Sequence, residues 1–410
     1  VKSITYSDYM HSWRPSTAPC LKNVRVEDDT RDALQAARAY RPSIDERKEL
    51  LELTAKIGVQ LSFLGFPAAS LREREDCAAL VGHISSRKLP ITPILMSRAV
   101  AEDLLPIIEI QHKSQVPILV DLYICTSPLR LRIEDWDLDI LLDRVRNIAK
   151  LASENHLRFR IAFEDSSRTP PEMLAKAVAV AMECEPECLV LNDTVGDCSP
   201  EATTLITRFV ADLLQAKPHI ELAWHGHNDR GLALANALAA AEAGATIISG
   251  TFMGIGERSG NIPLEQLIYL LVDAGNSMYD LHYLSPMCNL FAKSLRLDCP
   301  VNLPIVGEQA FETSTGTHAA AIMKARKLGV KFEDYVFSSV DAHCLGRQQA
   351  IAIGPNSGRS SIKFVFDDLL IPYSEDLIST MLNHCKEQNV CISNPTQIAA
   401  IVQSFTNKVV

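Results

Sequence analysis

The sequence predicts an α/β protein: a closed (β/α)₈ barrel, the TIM-barrel architecture, over residues 23–280, followed by small α-rich subdomains. Three observations carry that reading. Eight apolar, strand-like runs alternate with eight helical runs between Val24 and Asp273. The repeat is roughly 25 to 35 residues, which fits eight units into a barrel of about 250 residues. Regular alternation of this kind implies parallel strands joined by right-handed crossovers. Finally, no glycine-rich phosphate turn follows the first strand, so the competing doubly wound nucleotide-binding sheet lacks its main feature. The chain has 410 residues, enough for a barrel and an appendage. Residues 281–350 read as a helical subdomain and 351–410 as a second small one. Residues 1–22, with Tyr, Trp and Pro, read as an N-terminal arm that packs on the protein or on a partner subunit.

The elements follow in order. Residues 24–26 form a short first strand, and the helix after it spans Ile44 to Ile57, with Leu50, Leu51, Leu53 and Ile57 on one side. A strand over 60–65 precedes Ser70, which suits a helix N-cap. Strands over 91–96 and 117–124 flank a helix from about Arg98 to Lys113. A helix over 137–154 leads to a strand over 158–163. The helix over 170–182 carries its prolines at the start, where the missing N–H costs little. A strand over 188–191, a helix over 200–214 and a strand over 219–223 come next. An alanine-rich helix over 232–243, a strand over 245–248 and a helix over 264–273 complete the set.

Composition narrows the function. A hydrophobic content of 47% with 22% charged residues is ordinary for a globular chain with a sizeable core. The net charge of -10 argues against nucleic acid as the main partner. No apolar run approaches the ~18 residues needed to cross a bilayer, and the N-terminus lacks the pattern of a secretory signal. The eleven cysteines are scattered, and no second pair at zinc-site spacing follows Cys184 and Cys188, so they read as reduced thiols in a cytoplasmic protein.

In a barrel, chemistry sits in the loops after the strand C-termini. Five polar clusters fall there: residues 27–35, 164–168, 192–196, 225–231 and 254–261. His225 and His227 stand two apart at the end of a strand, so their side chains point to one side. Neutral imidazoles suit a divalent cation. Alone, such a pair is more often two loop histidines. Together with a carboxylate from the first cluster, an arginine beside it and a glycine-rich loop on the same face, it reads as a metal site.

The motifs Arg31-Asp32-Ala33-Leu34-Gln35, Gly65-Phe66-Pro67-Ala68-Ala69-Ser70, Glu164-Asp165-Ser166-Ser167-Arg168, Asp193-Thr194-Val195-Gly196, His225-Gly226-His227-Asn228-Asp229-Arg230-Gly231 and residues 254–261 occur in the order found in one family. The chain resembles the DRE-TIM metallolyases, and among them the 2-isopropylmalate, homocitrate and citramalate synthase branch. The lyase branch places a cysteine in the glycine loop, and residues 250–261 contain none. The resemblance implies an acyltransferase that condenses acetyl-CoA with a 2-oxo acid and releases CoA. It assigns Asp32, His225 and His227 to a divalent metal (magnesium, manganese or zinc), with Asn261 as an auxiliary group beside it. It assigns Arg31 to the 2-oxo group, Thr194 to the acceptor's carboxylate and Gln35 to the same pocket, and Glu164 to a place near the thioester. It further implies a homodimer in which His318 acts in the partner's site as a base, with Tyr335 nearby. The chain would stop short of the domain that binds feedback inhibitor in many relatives.

This chain departs from the family pattern at informative places. Ala33 and Leu34 replace the usual Gly and Glu, and Leu64 stands where strand two usually carries Glu. The loop over 126–130 lacks a histidine, and Gly354-Pro355-Asn356-Ser357-Gly358-Arg359 differs twice from the family's turn. Leu34 and Leu64 favour an acceptor with an apolar side chain, as in an isopropylmalate-type reaction. Arg130 could instead serve a second carboxylate, as a homocitrate-type reaction with 2-oxoglutarate needs. C–C bond cleavage of a 3-hydroxyacyl-CoA is the further alternative.

Overall fold

The structure, a computed structural model, describes Tyr9 and residues 19–406. The expected N-terminal arm lies outside the described residues except for Tyr9 and residues 19–22, as do the last four residues of the expected second subdomain. Eight parallel strands close into a barrel in chain order. They are β1 (Arg25–Asp28), β2 (Leu61–Gly65), β3 (Thr92–Arg98), β4 (Leu119–Cys125), β5 (Arg158–Glu164), β6 (Cys188–Asp193), β7 (Glu221–Gly226) and β8 (Ile247–Gly250). β8 closes on β1, with Arg25 opposite Ile247 and Asp28 opposite Gly250.

Several helices fall where periodicity places them, among them Ile44–Ile57, Pro200–Leu214 and Leu264–Asp273. Their ends have identifiable causes. Ser43 and Glu46 form a capping box at the first, and Gly58 ends it in the left-handed conformation. The strands differ more from expectation, because apolar runs mark only their buried lower parts. β5, β6 and β7 continue into Glu164, Asp193 and Gly226, and the ladder pairs Asn192 with His225. Glu164, Asn192 and His225 at these ends are in the sheet, where they line the mouth of the barrel. The segment after β4, expected as a loop, is helical over Pro128–Glu134: the Ser127 hydroxyl accepts from the Arg130 amide, and Pro128 needs no donor in the first turn.

The described residues form two compact units, one of residues 19–299 and one of Tyr9 with residues 300–406. Helix Leu284–Leu295 belongs to the barrel unit because it packs on Ile44–Ile57 and buries Leu284, Met287 and Phe291. In the second unit one core joins Ala319 and Ile322 to Ile353, Phe366, Ile378 and Met381. No described helix is long and apolar enough to cross a membrane.

Candidate functional site

A cavity of about 490 Å³ opens at the C-terminal ends of the strands. Arg31, Asp32, Gln35, Arg130, Glu164, Thr194, His225 and His227 all line it, so the sequence-predicted residues from five loops converge on one space.

At its base, Asp32 lies 3.6 Å from His227 (Oδ2 to Nε2) and 4.0 Å from His225 (Oδ2 to Nε2). One ligand-type atom from each of the three lies within 4.8 Å of the others, and all three residues are buried. Local structure fixes each position. Asp29 caps the turn Thr30–Ala33 and accepts from the Asp32 amide at 3.0 Å. β7 delivers His225, and a bridge to Asn261 holds His227 just beyond the strand. Gly196 (φ +60°) lets the loop after β6 approach the His227 carbonyl, where a Cβ would stand 2.8 Å from the oxygen. In the loop after β8, a Cβ on Gly260 (φ +89°) would meet the Gly254 carbonyl oxygen at 1.9 Å.

The charge states suit a cation. Burial pulls both imidazoles down, His227 to about 4, despite the nearby Asp32 carboxylate. Burial opposes ionisation of Asp32, but Arg31 and then the two imidazoles outweigh it and hold the carboxyl below its ordinary range. Two neutral imidazoles and one carboxylate are the donor set of a divalent metal site. The His225 Nδ1 and the Ser249 hydroxyl are 3.3 Å apart, which leaves Nε2 facing Asp32. Asn261 donates to Asp32 Oδ2. His227 Nδ1 and Asn261 Oδ1 are buried without a hydrogen-bond partner, so polar capacity at this point is unspent. Asp32, His225 and His227 thus fit a divalent cation.

Arg31 stands beside this group. Its Nη2 donates to Asp29 at 2.9 Å, and its Nη1 reaches Asp32 at 3.3 Å and Gln35 at 3.2 Å. Its guanidinium lies 4.6 Å from the centroid of Phe63, and its buried Nε has no partner. The Thr194 hydroxyl accepts from the Asp165 amide at 2.8 Å, which leaves its own proton to donate. Glu164 accepts from Arg130 Nε at 3.3 Å, and Arg130 also pairs with Glu134.

A second charged group escaped the sequence reading. Arg160 donates to both oxygens of Glu27 and to Asp121, and all three residues are buried in the same cavity. Burial alone would raise the Glu27 carboxyl, but Arg160 holds it below its ordinary range. A signal was present: Asp121 and Arg160 are charges inside otherwise apolar strands, at positions whose parity points inward.

Two residues expected to contact the acceptor do not line the cavity. Leu64 lies in a separate small space with Asp28, Thr30, Arg47 and Leu80, because Phe63 points inward and its neighbour must point to the helices. Leu34 follows Asp32 by two helical positions, about 200° around the turn, and so faces away from the site. His318 and Tyr335 belong to the second unit. His318 is exposed on helix Gly316–Arg326, and the ring stacked on it, at 4.0 Å and 23°, is Phe337, which carries no hydroxyl. Tyr335 is the last residue of helix Val330–Tyr335 and lines a different groove, with Phe332 and Leu328.

A closed barrel with an Asp–His–His group and a buried arginine at the strand C-termini defines a TIM-barrel protein with a metal-type site. Residues 24–290 match the HMGL-like family, and the chain belongs to it. It is similar to the 2-isopropylmalate synthase of Sediminispirochaeta smaragdinae, at 30% identity over 86% of this chain and 68% of that protein. It is also similar to the homocitrate synthase AksA of Methanopyrus kandleri, at 27% identity over 83% of this chain and 82% of that protein. Among solved structures, the hydroxymethylglutaryl-CoA lyase of Pseudomonas aeruginosa shares the fold, with a TM-score of 0.57 and 20% identity over 68% of this chain and 94% of that one.

Proposed function

We propose that this protein is a metal-dependent acyltransferase that condenses acetyl-CoA with a 2-oxo acid, adds water and releases CoA and a 2-alkylmalate-type acid. The observation that carries the reading is the convergence of Asp32, His225 and His227 beside Arg31, in a chain whose relatives include synthases of this kind. When bound by those three residues, a divalent cation supplies Lewis-acid polarisation of an oxo group. Arg31 donates to the oxygen that gains charge as the new C–C bond forms, and its geometry is set beforehand by Asp29, Gln35 and Phe63. Thr194 donates its hydroxyl proton to the acceptor's carboxylate. Glu164 lies beside the thioester. His318, supplied by the partner subunit of a homodimer, takes the proton from the acetyl methyl group. A hydroxyl-free ring beside His318 leaves no phenol from Phe337 for proton transfer.

The acceptor carries an uncharged side chain, on our reading. Both arginines that could meet a second carboxylate are already occupied: Arg160 by Glu27 and Asp121, Arg130 by Glu134 and Glu164. Phe63, Met96 and Val190 supply apolar wall in the same cavity. The homocitrate-type reading has the likeness to AksA in its favour and requires one of these arginines to be released. The test is CoA release from acetyl-CoA across a panel of 2-oxo acids, with and without EDTA. Release with branched or apolar acceptors, abolished by EDTA, supports the proposal. If no acceptor gives EDTA-sensitive release, the synthase reading fails; cleavage of a 3-hydroxyacyl-CoA in the same preparation would replace it with a lyase.

A further inference from the structure

The second unit holds another cluster of metal-ligating side chains. Asp334, Asp341 and His343 each present a ligand-type atom within 4.8 Å of the others. Asp334 is fully buried at the end of helix Val330–Tyr335. Its Oδ2 lies 2.8 Å from His343 Nδ1, while its Oδ1 is buried and has no hydrogen-bond partner. Asp341 accepts from the His343 and Cys344 amides through Oδ1 and meets the Lys331 ammonium through Oδ2.

Among the described residues, Asp341 meets the Lys331 ammonium, and Asp334 shares the cluster. An unpartnered carboxylate oxygen in a buried place is expensive unless a cation or donor reaches it. Lys331 is a provisional counter-charge, because its side chain is 52% exposed and on a flexible stem, whereas Asp341 is only 11% exposed. His343 remains reachable, with 34% of its side chain exposed.

We infer that Asp334, Asp341 and His343 form a second divalent-cation site, independent of the barrel's, which ties the Asp341–Cys344 turn to helix Val330–Tyr335. The cation displaces the Lys331 ammonium into solvent. One imidazole with two carboxylates suits zinc or manganese better than magnesium, which keeps oxygen ligands and water.

The experiment uses the full chain loaded with zinc, dialysed and assayed for metal per chain. Wild type is expected to hold one more equivalent than His343→Ala, and the barrel variant Asp32→Ala is expected to retain the equivalent that His343→Ala loses. Lys331→Met removes the competing ammonium and should tighten zinc binding several-fold. Should His343→Ala fold poorly, Asp341→Asn makes the same comparison. Equal zinc content in wild type and these variants, with no tightening in Lys331→Met, overturns the inference and leaves a lysine-neutralised ion-pair network only. The readout is independent of turnover, so it stands or falls apart from the synthase reading.

Discussion

Arg31 and Arg160 share a cavity, and the guanidiniums of both lie against the ring of Phe63, at 4.6 and 5.5 Å. Both are flanked by carboxylates. Yet they differ in what remains to give. Arg160 is 3% exposed and divides its donors between Glu27 and Asp121. Arg31 is 14% exposed, keeps a buried Nε without a partner and stands beside the Asp–His–His group. One arginine is internally compensated and holds β1, β4 and β5 together across the barrel. The other is held in position with donor capacity unspent. A charged residue in an active cavity is therefore not by itself a substrate contact; its partners decide.

Substitutions can break this contrast. The largest effect should come from Asp32→Ala, which removes the carboxylate that both Arg31 and the imidazoles face: EDTA-sensitive turnover should vanish while circular dichroism stays native. Arg160→Met should instead cost stability, about 3–5 kcal/mol by denaturant midpoint, because Glu27 and Asp121 lose their buried partner. Replacing all three by apolar residues of similar volume should restore much of it; if it does not, the triad has a role beyond compensation. Arg31→Met should lower kcat by roughly 10²–10³ and cost less midpoint than Arg160→Met, because Asp29 keeps the Asp32 amide and Asp32 keeps Asn261 as partners. A stability loss as large as that of Arg160→Met would erase the distinction. The smallest effect belongs to Ser249→Ala, which frees the His225 ring from its orienting hydroxyl and should weaken metal affinity by about 10–100-fold.

Much of this was legible in the chain itself. The βα alternation, the capping residue Ser70 and the paired His225 and His227 are local signals, and local signals survive reading from sequence alone. Asp32 and Asn261 are 229 residues apart, and their contact came only from a family resemblance. Side-chain direction is harder to read than chain order. Neighbouring motif positions put Leu64 and Leu34 at the acceptor, whereas strand parity and helical pitch turn both away. Arg160 sits within an apolar run that reads as plain strand, yet a charge inside a buried strand must find compensation. The ring beside His318 depended on where helix Val330–Tyr335 ends, which periodicity does not fix.

The central claim is that Asp32, His225, His227 and Arg31 together support a condensation. Methyl-labelled acetyl-CoA, an apolar 2-oxo acid and the metal-loaded protein should yield a labelled 2-alkylmalate by mass spectrometry, with one new C–C bond and stoichiometric free CoA. Asp32→Ala should yield none. Label recovered only as acetate, or product formed equally by Asp32→Ala, would contradict the account.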